Sequence, residues 1–391
     1  MALNTQQLSF TISRTINDIA EDDWNGLFGK NLIESYGYQQ ALEESKLKEF
    51  SFGYLIGRRE NKPVIILPFF VMDFSFHILT DGLLQKLMRK LKNIFTMRIL
   101  FFGTPTTEEF YLGVSAAEDL NSLLDGSLNT VFKLCKDEKI GAALFYNLSE
   151  KNDLLAGCLA KKYFFRLRSL PTTMIKIKAA SLEEYISGLS PNMRKDLKRK
   201  LRKSGSAATL KTLVRDNIDG IDKEIYGLYL NNFDGSGIQF ETLTREFFVN
   251  ICRRMPGVAK YFITYDKDRI VAFNLCLIKG DTFIDKFIGF DSKVAHKYHL
   301  YFTTFCHNMD FCIKNGIRFY QPGTTDYHPK LRLGAELIPL DIWAKAFNPA
   351  VNILIKLATP LIEPINVDPS LKDIEKCGLK SLTSQPAILL R

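Results

Sequence analysis

An α/β layer fold is predicted by three observations. Apolar segments with strand-like character alternate with segments of helical periodicity along nearly the whole sequence. The alternation runs through one sequence of elements and then a second, similar one. A length of 391 residues with 46% hydrophobic content is enough to bury a large core, and the length favours two domains over one.

In the first half, strands are expected at Leu8–Ser13, Phe52–Gly57 and Pro63–Met72, with helical patterns at Asp22–Leu27 and Tyr36–Ser45. The polar stretch Arg58–Asn61 between two apolar runs predicts a hairpin turn. A helix over Asp81–Asn93, a strand over Arg98–Phe102, a helix over Leu120–Lys136 and a strand over Ala142–Tyr146 complete this half. Pro171 restricts Leu170 to extended geometry, so a domain boundary is expected there, with a fresh strand over Thr173–Lys178.

The second half continues with a helix pair within Leu182–Ser204, a strand over Thr209–Val214, and helices over Lys223–Asn231 and Leu243–Met255. Strands follow at Ala259–Tyr265, Ile270–Ile278 and Thr282–Gly289. Tyr298–Asn315 reads as one amphipathic helix, with Phe302, Phe305, Cys306, Met309, Cys312 and Ile313 on its buried stripe. Strand Ile317–Gln321 breaks at Pro322-Gly323 into a polar loop carrying Asp326, His328 and Lys330 before Gly334, and a closing strand lies near Ile342. Tyr54-Leu55-Ile56 and Lys62-Pro63-Val64 match Tyr261-Phe262-Ile263 and Arg269-Ile270-Val271 at one constant offset, which suggests duplication. Beyond Phe347 the pattern decays into Pro349, Pro360, Pro364 and Pro369, a tail that is packed or loosely attached.

Composition removes several function classes. The longest apolar candidate, Val64–Met72, stops at Asp73, short of the roughly 18 residues a membrane helix needs. Met1–Ser13 lacks a charged segment followed by an apolar one, so a cytoplasmic location is expected. The seven cysteines, scattered without CxxC spacing, suit reduced thiols. His296, His299, His307 and His328 cluster in sequence, yet no HExxH spacing accompanies them and no metal site is expected. Gly235-Ser236-Gly237 lies between two helices and reads as a turn, and no Walker loop, dinucleotide fingerprint or GxSxG elbow occurs.

The net charge of +9 is concentrated in Arg194–Lys203, which holds seven basic residues against Asp196. Ser190-Pro191 is a good helix start, and Leu189, Met193, Leu197 and Leu201 form one apolar stripe. Arg194, Lys195, Lys198, Arg199 and Arg202 are then either a solvated helix face or a site for the phosphates of a nucleic acid, a tRNA or a nucleotide-linked acyl donor.

Several of these segments resemble the FemAB-like, GNAT-type acyltransferases. Tyr185-Ile186-Ser187-Gly188-Leu189-Ser190-Pro191-Asn192-Met193-Arg194 with its basic helix is similar to the segment opening the family's second domain, and Tyr38–Ser45 is similar to its first-domain helix. Phe319-Tyr320-Gln321-Pro322-Gly323, Lys330-Leu331-Arg332-Leu333-Gly334-Ala335 and Trp343 resemble its strand, glycine, lysine-loop, glycine signature. The resemblance implies tandem GNAT-like domains, each a mixed central sheet flanked by helices: residues 1–170, a catalytic domain over 171–347, and a tail over 348–391. It implies an N-acyltransferase that moves an acyl or aminoacyl group to an amine on a small molecule or peptide. The co-substrate would be acyl-CoA, an acyl carrier or aminoacyl-tRNA, with no bound cofactor. Phe290–Lys297 departs from the RxxGxG/A pattern with which GNAT enzymes hold the coenzyme A pyrophosphate. The alternative is a non-catalytic protein of the same fold that holds a nucleic acid or a membrane surface through residues 194–203.

Transfer to an amine constrains the roles. An amine with a reference pKa of about 10.4 must lose a proton, so Asp326 and His328 are each a general base or a turn residue. An oxyanion needs a donor, supplied by Lys330 or by a backbone N–H on Thr282–Gly289, unless Lys330 is a solvated loop residue. Tyr298 and Tyr301 are each an acid for the leaving group or a half-buried aromatic.

Overall fold

The computed structural model describes residues 8–29, 33–75, 96–206, 210–233, 242–359, 363–368 and 371. The helix expected at Asp81–Asn93, the Gly235–Gly237 turn and Cys377 lie outside the described residues. Strands are β1 Leu8–Ser13, β2 Ser51–Arg59, β3 Lys62–Ser75, β4 Thr96–Phe102, β5 Gly113–Val114, β6 Ala142–Leu148, β7 Phe165–Lys176, β8 Leu210–Arg215, β9 Ala259–Asp266, β10 Arg269–Lys279, β11 Thr282–Phe290, β12 Phe319–Gln321 and β13 Glu336–Ala346. The described helices are α1 Glu21–Phe28, α2 Tyr36–Glu44, α3 Leu120–Asp137, α4 Asp153–Lys161, α5 Leu182–Gly188, α6 Pro191–Ser206, α7 Asp222–Phe233, α8 Arg245–Arg254, α9 Ser292–Ala295, α10 Leu300–Lys314, α11 Tyr327–Arg332, α12 Pro349–Ala358 and α13 Pro364–Val367.

The described strands join one mixed sheet in the order β1-β2-β3-β4-β6-β13-β7-β12-β11-β10-β9-β8, with β5 against β3. The order reads the same from both ends. Strands β1 to β4 form an antiparallel meander, and β4 pairs in parallel with β6. Strands β8 to β11 do the same, and β11 pairs in parallel with β12. Each set is closed by one of two long strands that cross between the halves: β13, from the end of the second half, borders β6, β7, which straddles the midpoint, borders β12, and β7 and β13 pair with each other. This exchange welds the halves into one sheet, the tandem arrangement expected of the fold class.

Strand β7 runs through Leu170-Pro171 without a break, starting eight residues before the expected Thr173. Pro171 is tolerated because the β7 to β13 register shifts between Ile338 and Leu340, leaving Pro339 in the irregularity opposite. Neither proline has an N–H to contribute to a ladder.

Other elements follow local chemistry. Asp119 caps α3 by accepting from the Ser122 N–H, and Leu124, Leu128 and Val131 face the sheet. Helix α2 from the first half lies so close to α8 from the second that a Cβ on Gly37 would sit 2.1 Å from the Arg254 carbonyl oxygen. Thr244 Oγ1 donates to the Ser45 carbonyl at 2.7 Å across the same contact.

Three expectations about the second half are corrected. The helix expected over Tyr298–Asn315 is the single helix α10, which starts only at Leu300 because His299 ahead of it takes φ 47°. The polar loop before Gly334 contains helix α11. The tail beyond Phe347 begins with α12, which Asn348 caps with Pro349 in its first turn. Cys306 and Cys312 lie on the buried stripe as expected. Among the described residues, no helix is long and apolar enough to cross a membrane.

Candidate active site

Strands β11 and β12 are parallel neighbours for only three residue pairs, Thr282 with Phe319 through Ile284 with Gln321. Strand β12 then ends at Pro322-Gly323, where Gly323 takes φ 78°, while β11 continues to Phe290. The lost partner leaves the middle of β11 beside open space. Gln321 Nε2 to Thr172 Oγ1 at 3.1 Å and Thr173 Oγ1 to the Gly323 carbonyl at 2.6 Å fix the departing chain.

That space is a cavity of about 900 Å³ with walls from both halves. Its polar end is built by Asp285 and Lys286 of β11, Asn274 of β10, Tyr301 of α10, Asp326 and Lys330 at α11, and Glu108 from the first half. Asp285 accepts from Asn274 Nδ2 at 3.0 Å, Asn308 Nδ2 at 3.2 Å and the Tyr320 hydroxyl at 2.8 Å. Burial pushes its carboxyl upward, and these hydrogen bonds oppose the shift. Asn274 Oδ1 and Asn308 Oδ1 are buried with no hydrogen-bond partner among the described residues.

Lys286, with 1% of its side chain exposed, contacts Glu34 Oε1 at 2.8 Å and Glu108 Oε1 at 3.8 Å and donates to the Thr106 carbonyl. Burial alone would lower its pKa, but the Glu34 carboxylate reverses the sign and holds the ammonium above the ordinary lysine value. Lys330 is buried differently. Its Nζ donates to the Thr324 carbonyl at 2.7 Å and makes no close carboxylate pair among the described residues; burial pushes it down to about 8, with Glu108, Asp326 and Asp285 opposing at longer range.

The expected site residues divide. Lys330, Asp326 and Tyr301 line the cavity together. Asp326 is an exposed residue at φ 46° at the start of α11, and burial raises the Tyr301 phenol. His328 is exposed and outside the cavity lining. Tyr298 lies elsewhere, its hydroxyl donating to Asp266 at 2.9 Å beside Lys297. Asp285, Lys286 and Glu108 were missed. The adjacent charges of Asp285-Lys286 inside an otherwise apolar strand are the signal that points to them.

The basic helix α6 packs against α10 with Met193 and Leu197 buried. Asp196 binds Lys200 at 2.8 Å and Arg199 at 2.7 Å, which hold its carboxyl at about 2, and Arg332 of α11 at 3.3 Å. Lys200 also lies 3.5 Å from the Phe302 ring centroid. Arg194, Lys195, Lys198 and Arg202 have no carboxylate partner among the described residues, and Lys195, Lys198, Arg199 and Arg202 are exposed. Lys200, Lys203 and Arg199 act on His299, at the N-terminus of α10, and add to the burial that lowers its pKa. Positive side chains and the positive end of a helix dipole therefore meet there. His307 is used structurally, bonded to Thr212 Oγ1 at 2.6 Å, and among the described residues no His, Cys, Asp and Glu group is arranged to hold a metal.

Residues 191–331 match the sequence model of the acetyltransferase (GNAT) domain. The fold is similar to the crystal structure of FemX, at 12% identity over 86% of this chain and 98% of that one, with a TM-score of 0.54. It is also similar to a tandem GNAT protein from the clavulanic acid biosynthesis pathway, at 10% identity over 88% and 99% of the chains and a TM-score of 0.53. A conserved protein of unknown function from Bacteroides thetaiotaomicron aligns at 11% identity over 87% and 100%, with a TM-score of 0.51. No curated protein matches the sequence.

Proposed function

We propose that this chain, an acyltransferase of the GNAT superfamily with a FemX-like tandem fold, transfers an acyl or aminoacyl group from an activated donor to an amine bound in the cavity between its halves. The observation that carries the reading is the polar end of that cavity, where Lys330, Asp326, Tyr301 and Asp285 converge at the gap between β11 and β12.

Asn274 Oδ1 and Asp285 offer acceptors to an incoming ammonium. Asp326, on the cavity wall and reachable by water, takes the proton that the amine releases. The amine nitrogen then attacks the carbonyl carbon of the donor. Lys330 has two N–H groups left beyond its bond to Thr324, and as a cation in a low-dielectric pocket it faces the oxyanion of the tetrahedral intermediate. Collapse breaks the bond to the leaving group; Tyr301, kept protonated by burial, gives its proton to the departing thiolate or ribose oxygen and regains one from the nitrogen, which sheds its second proton as the amide forms. The donor's phosphates lie along α6 toward the N-terminus of α10, held by Arg194, Lys195, Lys198, Arg199 and Arg202. We assign residues 1–170 and 171–347 as the two GNAT-like units, the second carrying the chemistry.

The test is thiol release from a panel of acyl-coenzyme A donors in the presence of primary amines, with mass spectrometry of the products. Amine-dependent thiol release with formation of an amide supports the reading. Absence of release across the panel, together with absence of transfer from aminoacyl-tRNA, contradicts it.

A further inference from the structure

The cavity does not end at its polar groups. On the first half's sheet, two rows of side chains cross β4, β6 and β13 in register: Ile99, Ala142 and Ala346 form one, and Phe101, Leu144 and Ala344 the other. All six line the cavity. The opposite face of these strands is packed in the ordinary way, with Phe102, Ala143 and Phe145 against Leu124, Leu128 and Val131 of α3. An apolar sheet face ordinarily buries itself against another layer. Here the six residues, Ala344 apart, belong to or adjoin the core around Phe70, on which Phe101 stacks, and all six also line the cavity; three of them are alanines, the smallest choice that keeps the strand apolar.

Helix α12 roofs this arm through Ile355, which lines the cavity while Val351 packs against the adjoining core. The arm and the polar end are one continuous space. An apolar cavity without polar partners does not order water and is suited to an apolar occupant.

We infer that the apolar arm holds a long aliphatic chain of the substrate, with the reacting carbonyl or amine of the same molecule at Lys330 and Asp326. The inference rests on the transferase reading and names its substrate class: a molecule with a polar reactive head and a hydrocarbon tail. Two molecules carry such a tail, a long-chain acyl thioester as donor and an amine-headed lipid as acceptor.

The probe is cis-parinaric acid, a fatty acid whose fluorescence rises in an apolar site, titrated into the full chain. Saturable binding is expected, and displacement by palmitoyl-coenzyme A or by phosphatidylethanolamine vesicles identifies the donor or the acceptor as the source of the chain. Leu144→Trp, which fills the arm from a half-buried position, is expected to weaken binding about tenfold or more. Ala344→Phe is the second variant, with circular dichroism and the thermal midpoint showing that each is folded. Both should shift competition from palmitoyl-coenzyme A toward octanoyl-coenzyme A, a change in length preference that general damage does not produce. No saturable binding by the parent, or unchanged affinity and length preference in two folded variants, overturns the inference. Transfer from acetyl-coenzyme A without chain binding would leave the transferase reading standing, whereas chain binding without any transfer would remove that reading alone.

Discussion

Lys286 and Glu34 meet at 2.8 Å across the junction of the two halves, 252 residues apart in sequence and almost wholly removed from solvent. Glu108 and the Thr106 carbonyl complete the surroundings of the ammonium. The cluster therefore ties the cavity's own strand, β11, to the first half, and makes the shape of the site depend on the junction.

Removing one partner of such a pair strands the other charge in a dry environment. Lys286→Met is expected to destabilise the protein by about 3–5 kcal/mol, read by urea unfolding, and Glu34→Gln added to it should recover part of the loss. The folded-state pKa of Lys286 is raised, so its contribution is fully present at neutral pH. It is lost only as pH rises through and above the ordinary lysine range. A Lys286→Met protein as stable as its parent would show that the cluster does not hold the halves together.

Lys330 titrates in the opposite sense. Its pKa near 8 means that it is charged below that pH and neutral above it. If the cation faces the oxyanion, kcat should fall as pH rises through about 8, and Lys330→Arg should carry activity to higher pH. For stability, the depressed value makes burial of the charge costly below about 8, and that cost disappears as pH rises toward the unfolded lysine value of about 10.4. A pH profile flat from 7 to 9.5 would contradict the role.

Tyr301 and Tyr298 separate in the same assay. Tyr301→Phe is expected to lower kcat about tenfold or more, because the phenol lines the cavity. Tyr298→Phe, which loses the hydrogen bond to Asp266 and the one accepted from Lys297 Nζ, should keep turnover within about twofold and cost about 1 kcal/mol of stability. The reverse pattern would move the proton donor to Tyr298, just ahead of α10.

What the sequence made legible here depended on the range of the interaction. The meanders announce themselves by local alternation, and the hairpins at Arg58–Asn61 and Asp266–Asp268 by their turn residues. Lys330, Asp326 and Tyr301 could be placed because a strand end, a glycine and a polar segment lie together in the chain. The exchange of β7 and β13 could not, since a strand's own pattern does not name its neighbour. Glu34 and Glu108 were invisible for the same reason: each reads as an ordinary polar loop residue until β11 brings Lys286 to it. The left-handed backbone at His299, which delays the start of α10 to Leu300, left no distinct mark either.

The basic helix gives a prediction that leaves folding aside. Reversing Lys198, Arg199 and Arg202 to Glu should weaken donor binding and flatten its salt dependence, while moving the thermal midpoint little, because these side chains are exposed. Equal donor affinity at low salt in the triple variant and the parent would reduce α6 to a solvated face.

The most direct test of the cavity as the site of acyl transfer is the turnover of Lys330→Met, measured by amine-dependent thiol release with a donor and acceptor pair that the parent uses. A fall of about a hundredfold or more with the thermal midpoint preserved is expected, because the substitution removes the charge and keeps most of the buried stem. Turnover equal to the parent's in a folded Lys330→Met protein would contradict it.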